Sequence, residues 1–185
     1  LIVGIDLAGS EKRPTGIAFL DKTVQTCLLF TDEEILSACE GAELVAIDAP
    51  LSLPKKGGLR EGDRRLIEMG FRVFPPLFSG MRLLTRRGIR LAAKLRRKTK
   101  VIEIHPRTSG LILFETDKKT ELLKKLRKIW PLRNPSEHEI DAVLAALTGK
   151  LYLEGKTRKV GNIVIPQITS RAGQPFGKDL KGRLP

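Results

Sequence analysis

Apolar and polar positions fall in short blocks along this chain, and the period of the blocks changes several times. Residues 1–6 are an apolar run ending in Asp6-Leu7-Ala8-Gly9-Ser10, residues 16–20 form a second run, and residues 24–30 form a third. Their lengths and the turn-rich breaks between them predict a β-meander of three strands. Thr31 stands three residues before Glu34, a capping box, and Ile35, Leu36 and Cys39 give the following helix an apolar face before Gly41 stops it. Residues 44–47 form a fourth strand, closed by Asp48-Ala49-Pro50. Residues 51–80 are rich in Pro and Gly, hold one short helix around 63–69, and read as an inserted or capping segment.

Further along, Leu83, Leu84, Ile89, Leu91, Ala92 and Leu95 recur among many Arg and Lys, which predicts an amphipathic helix with a basic face over residues 81–97. Residues 101–105 are a fifth strand and residues 120–130 another amphipathic helix. Ser136 with Glu139 is a second capping box, and it opens a long helix whose Ile140, Val143, Leu144, Leu147 and Leu151 make a core-facing stripe. Residues 156–168 alternate weakly, as a late hairpin would, and residues 171–185 are expected to be a flexible basic tail. No internal repeat divides the chain, so the pattern predicts one α/β domain over residues 1–170, with residues 51–97 inserted.

Composition narrows the partners. Lys and Arg number 34 against 21 Asp and Glu, a net charge of +13 that attracts polyanions over a Debye length. Nucleic acid is the leading partner class, although a surface rich in Lys, Arg and Glu also suits a hot environment. No apolar run approaches the roughly 18 to 20 residues of a membrane span, and no basic-then-apolar leader opens the sequence, so no membrane role and a cytoplasmic location are expected. Cys27 and Cys39 read as reduced structural thiols.

Candidate chemistry lies in acids placed where apolar strands should continue or stop. Asp6 ends Leu1-Ile2-Val3-Gly4-Ile5, Asp48 ends Leu44-Val45-Ala46-Ile47, and Glu103 stands between Ile102 and Ile104. A lone carboxylate in such a place must be neutralised, hydrogen-bonded or paired with a cation, and a hard divalent ion does this for several at once. Asp141, near the start of the long helix, shares a face with Glu137 and follows His138 by three residues. Taken singly, Asp6 and Asp48 suit turns, Glu103 an exposed edge and Asp141 a helix N-terminus. If Asp6, Asp48, Glu103 and Asp141 converge, they form a catalytic centre for Mg²⁺ or Mn²⁺, since neither a Cys cluster nor spaced His residues offer a zinc site. Two such ions about 4 Å apart would serve hydrolysis of a phosphodiester without a side-chain nucleophile.

Gly4-Ile5-Asp6-Leu7-Ala8-Gly9, Val45-Ala46-Ile47-Asp48-Ala49-Pro50-Leu51, Arg60 with Asp63-Arg64, Ile102-Glu103-Ile104-His105-Pro106 and His138-Glu139-Ile140-Asp141-Ala142 follow one another along the chain. In this order they resemble the DUF429 family, described as predicted nucleases of RNase H-like fold. The resemblance runs from about Ile2 to Leu147. It implies a mixed five-stranded sheet of order 3-2-1-4-5 with helices on both faces and a helical insertion after the fourth strand. Asp6 and Asp48 would then stand side by side, with Glu103 on the next strand and Asp141 above them, much as RuvC-like resolvases arrange their acids. The family's activity is itself inferred from fold, so the implied function is an analogy.

Around these acids, Arg60 and Arg64 flank the insertion, and Arg suits bidentate phosphate contact. Residues 81–100 carry Arg86, Arg87, Arg90 and Lys94 among other basic residues and no acid, a stripe suited to a nucleic-acid groove. His138 and Glu137 are candidates for an outer shell around the acids, whereas His105 reads as structural. Trp130 and Tyr152 sit in core-facing contexts, so no aromatic platform for bases is evident.

The leading expectation is a divalent-metal-dependent nuclease acting on DNA or RNA, with a homodimer left open by the resolvase analogy. One rival is a non-catalytic nucleic-acid-binding module. The other is a phosphotransferase of the actin and sugar-kinase superfamily, which needs two RNase H-like halves where this sequence shows one.

Overall fold

In the computed structural model, which describes residues 1–167, the first three strands form the expected meander. They are β1 (Ile2–Asp6), β2 (Thr15–Leu20) and β3 (Val24–Leu29), each antiparallel to the one before. Helix α1 (Asp32–Ala38) starts at the first capping box: Thr31 Oγ1 accepts from the Glu34 amide at 3.1 Å, and Glu34 Oε2 accepts from the Thr31 amide at 2.9 Å. The chain then returns to the middle of the sheet as β4 (Leu44–Asp48), parallel to β1.

The insertion contains α2 (Glu61–Glu68) and leads into α3 (Arg82–Leu95), and both follow the sequence pattern within a residue or two. Strand β5 (Lys100–Ile104) adds parallel to β4. Helices α4 (Pro106–Phe114), α5 (Lys119–Leu126) and α6 (Glu137–Leu153) precede a closing hairpin, β6 (Thr157–Val160) and β7 (Ile163–Pro166).

Two expectations need correction. The sheet has seven strands in the order β3-β2-β1-β4-β5-β7-β6, because the late hairpin joins the sheet edge through β7, parallel to β5. Its order otherwise matches the five strands expected. Helix α4 escaped the periodicity reading because it is buried nearly all round, from Thr108 to Gly110 and from Ile112 to Phe114, so it has no polar face to set a period. Pro106 sits in its first turn, where a missing N–H leaves no bond unmade. The tail at residues 171–185 lies outside the described residues.

Helices cover both faces of the sheet. On one face α6, α4 and α5 pack over Ile2, Ala46, Ile102 and Ile104, with Trp130 in the same core. On the other, α1 and α3 pack over Val3, Ile5, Val45 and Ile47. Helix α6 lies so close to the sheet that a Cβ at Gly4 would collide with the Ala142 and Ala146 backbone, and one at Gly16 with the His138 backbone. This contact fixes where the start of α6 lies relative to the end of β1. Among the described residues, no helix is long and apolar enough to cross a membrane.

Candidate active site

Asp6 and Asp48 end neighbouring parallel strands and are direct register partners. Register partners point to the same face of a sheet, and here that face is the one under α6. The position lies at the carboxyl ends of the strands, between β1, which continues to one side, and β4, which continues to the other. Open α/β sheets place their ligands at such a switch point.

Helix α6 supplies the rest. Its second capping box, in which Ser136 Oγ accepts from the Glu139 amide at 3.2 Å, starts the helix beside β2. His138 and Asp141 therefore face the two strand ends. His138 Nδ1 lies 2.7 Å from Asp6 Oδ2, and Asp141 pairs with Lys119 at the start of α5. Burial raises the pKa of Asp6, the Asp141 charge raises it further, and His138 and Lys119 only partly oppose this. Asp48 is pushed well above the usual carboxylate range by burial and by the charges of Asp6 and Asp141. Asp141 is likewise raised, chiefly by burial, despite its bond to Lys119. Three carboxylates thus repel one another around a single lysine and one histidine, leaving negative charge unbalanced.

Glu103 does not join them. It pairs in register with Ile47, so it leaves the sheet on the face opposite Asp48. There it receives two bonds from Arg60, Nη1 to Oε2 at 2.8 Å and Nη2 to Oε1 at 2.6 Å, and a third from the Leu51 amide at 2.9 Å. Arg60 also donates to both oxygens of Asp63 at 3.0 and 2.8 Å, and to Ser52 Oγ at 3.3 Å. A guanidinium has five N–H groups, and all five are spent. Burial alone would lower the Arg60 pKa, yet its bonds to Asp63 and Glu103 raise it. The expected phosphate contact by Arg60 is accordingly corrected: it clamps the insertion to β5. Glu103 is felt at Asp48 only as the smallest of the charges there.

Oxygen-only donors with raised proton affinity suit a hard divalent ion, because a dication offsets both the burial and the repulsion that raise them. Asp6, Asp48 and Asp141 meet that description, and Glu103, already saturated, does not. Among the described residues, no three acid, His or Cys groups are gathered closely enough to hold an ion as they stand. His138 holds Asp6 and Lys119 holds Asp141, so a bound ion would displace or share these partners.

A family model described as "Protein of unknown function (DUF429)" matches residues 4–163. The chain belongs to the DUF429 family. Among solved structures, Thermus thermophilus RuvC aligns with a TM-score of 0.52 at 14% identity, over 83% of this chain and 95% of that one. T. thermophilus RuvC in complex with a Holliday junction substrate aligns with a TM-score of 0.52 at 13% identity and the same coverage. At such identity the likeness establishes the fold, which is RNase H-like. No curated protein matches the sequence.

The basic residues of this DUF429 chain divide in two. Arg82, Arg86, Arg90 and Lys94 recur every four residues along α3 and are exposed, so the stripe is one continuous helix face. Arg87, next to Arg86 at the margin of that face, is only 2% exposed and donates to Asp32 Oδ1 at 2.8 Å and to the Ala8 and Phe30 carbonyls. Its expected substrate contact is corrected to a structural one. Arg64 is exposed beside a separate cleft lined by Lys55 and Lys56. Glu137 is near enough for its charge to raise the Asp141 pKa. Lys119 was missed by sequence reasoning, since nothing local distinguishes it from the other basic residues.

Proposed function

We propose that this protein is a divalent-metal-dependent nuclease that hydrolyses nucleic-acid phosphodiesters. The observation that carries the reading is the in-register pair Asp6 and Asp48 beneath Asp141, three half-buried carboxylates whose repulsion Lys119 and His138 only partly offset. The RNase H-like fold and the net charge of +13 support it. Asp6, Asp48 and Asp141 would hold Mg²⁺ or Mn²⁺, which when bound supplies Lewis acidity at a phosphoryl oxygen. His138, on Asp6 Oδ2, holds that carboxylate in place and can exchange a proton through Nδ1. Lys119 keeps a positive charge beside the three acids, available to the phosphate when Asp141 is otherwise engaged. Helix α3 abuts the chain just after Asp48, with Gly88 packed against Ala49 and Pro50, and its exposed stripe would supply phosphate contacts along a strand.

The local partners of Asp6 and Asp141 also fit a nucleic-acid-binding module without catalysis. The two readings separate in one experiment. Labelled single-stranded, duplex, hybrid and branched substrates are incubated with Mg²⁺ or Mn²⁺ at low salt, beside a Mn²⁺ titration of the protein. A nuclease cuts at least one substrate and binds Mn²⁺, and it loses both properties in Asp6→Asn and Asp48→Asn. Binding that is unchanged in EDTA, with no cleavage under any condition, leaves the module.

A further inference from the structure

A cleft of about 200 Å³ opens beside Asp48 at the carboxyl ends of β4 and β5. Val73, Phe74, Met81 and Leu84 supply apolar lining, and Glu103 and His105 supply polar lining. Most of its polar groups have no bonding left to offer. Arg60 has spent every donor inside the protein, and Glu103 and Asp63 are the acceptors. His105 makes its side-chain bond through Nδ1, 2.7 Å from Thr108 Oγ1. Burial and the charge of Arg107 push its pKa down to about 4, so its ring is neutral at ordinary pH. A neutral imidazole can meet either a donor or an acceptor through its second nitrogen.

The apolar side is unusual in another way. Phe74 is 62% exposed at the cleft and Phe78, four residues on, is 56% exposed, in a chain with only 5% aromatic residues. Arg72 and Arg82, both exposed, flank them in sequence, so the aromatic patch is bracketed by positive charge. The cleft is smaller than the roughly 300 to 1,000 Å³ of ordinary small-molecule pockets. It admits one flat ring and not a whole nucleotide. Its apolar walls suit the face of such a ring, and Asp48 ties it to the site proposed for the phosphate.

We propose that this cleft receives one unpaired nucleobase of the bound strand, with Phe74 stacking on its face and His105 meeting its edge. The inference rests on the nuclease reading and adds a substrate class to it. A base inside a continuous duplex cannot reach such a cleft without leaving its stack, so the preferred substrate is single-stranded, or has an extruded or mispaired base near the cut. The free nitrogen of His105 would also make the cleft selective for some bases over others.

The test uses oligonucleotides carrying the fluorescent base 2-aminopurine at each position in turn, bound to the full chain in EDTA so that no strand is cut. Anisotropy reports total binding and the 2-aminopurine emission reports the environment of the base. The expected result is a change of emission confined to one position. Phe74→Ala, an exposed substitution that leaves the core untouched, should weaken binding by roughly 5- to 150-fold, the range of one lost base stack, and Phe74→Trp should restore it. With an abasic site at the same position, wild type and Phe74→Ala should bind equally. An equal loss on abasic and intact strands, or unchanged emission at every position while anisotropy shows binding, overturns the cleft and leaves the nuclease reading standing. Self-association that Phe74→Ala abolishes, without any emission change, assigns the patch to a second copy and also overturns it. No binding of any oligonucleotide overturns the nucleic-acid reading itself.

Discussion

Two acid clusters lie at the carboxyl ends of neighbouring parallel strands, one on each side of the sheet, and the protein treats them in opposite ways. Around Arg60, the carboxylates of Asp63 and Glu103 share one guanidinium whose five donors are all bonded. Around β1 and β4, Asp6, Asp48 and Asp141 share one lysine and one histidine, and all three have raised pKa values. The residue types are nearly the same. Donor count against acceptor count makes the first a rigid clamp, while the second holds charge that a ligand can relieve. A buried acid therefore points to function only when its neighbourhood leaves it unsatisfied.

The largest effect should come from opening the clamp. Arg60→Met leaves Glu103 and Asp63 buried without their cation, and should destabilise the fold by about 3 to 5 kcal/mol, read from urea unfolding. Replacing all three residues with apolar ones of similar volume should recover much of that loss. If Arg60→Met unfolds no more easily than wild type yet abolishes cleavage, the clamp belongs to the active site and the contrast collapses.

Asp48→Asn should behave in the opposite sense. Cleavage should fall by more than the roughly 10- to 100-fold typical of an outer-shell partner, while thermal stability in EDTA should rise. The reason is linkage. Asp48 binds its proton more tightly in the folded state than in the unfolded one, so it favours the fold while protonated. Its contribution is full below the unfolded-state pKa and is lost as pH rises through the folded-state value. Above the unfolded-state pKa folding must therefore work against this higher proton affinity, and Asn removes that penalty. The stability gain of Asp48→Asn should shrink as pH falls through the window between the two pKa values. Mn²⁺ should raise the wild-type melting temperature and leave that of Asp48→Asn nearly unchanged.

Lys119→Met probes the same cluster through its resident cation. Removing the resident positive charge should lower stability in EDTA. It should also tighten Mn²⁺ binding by roughly tenfold, the equivalent of about 1.4 kcal/mol of relieved repulsion. A calorimetric titration showing weaker binding would give Lys119 a different role. Smaller still, neutralising Arg86, Arg90 or Lys94 singly should weaken binding of all nucleic-acid sequences alike and reduce the salt slope by about one per contact. Arg87→Gln should act instead on stability, because its partners are Asp32 and two carbonyls of the protein itself.

What the sequence determined by itself is what neighbours along the chain can encode. Thr31 with Glu34 and Ser136 with Glu139 mark helix starts within three residues, and both helices begin there. Asp6 and Asp48, each closing an apolar run, announced the strand ends at which they sit. Helix α4 carried no such mark, since a helix buried all round has no period to read. Which acids meet depends on how distant segments pack. Glu103 and Asp48 occupy strand ends that look equivalent, but the β4–β5 register sends their side chains to opposite faces. Arg60 finds Glu103 across 43 residues, and Lys119 finds Asp141 across 22. Asp141 reaches the strands because Gly4 and Gly16 let α6 sit close. Strand register, close backbone approach and the count of donors around a buried charge all depend on residues far apart in the chain, so no local pattern can state them.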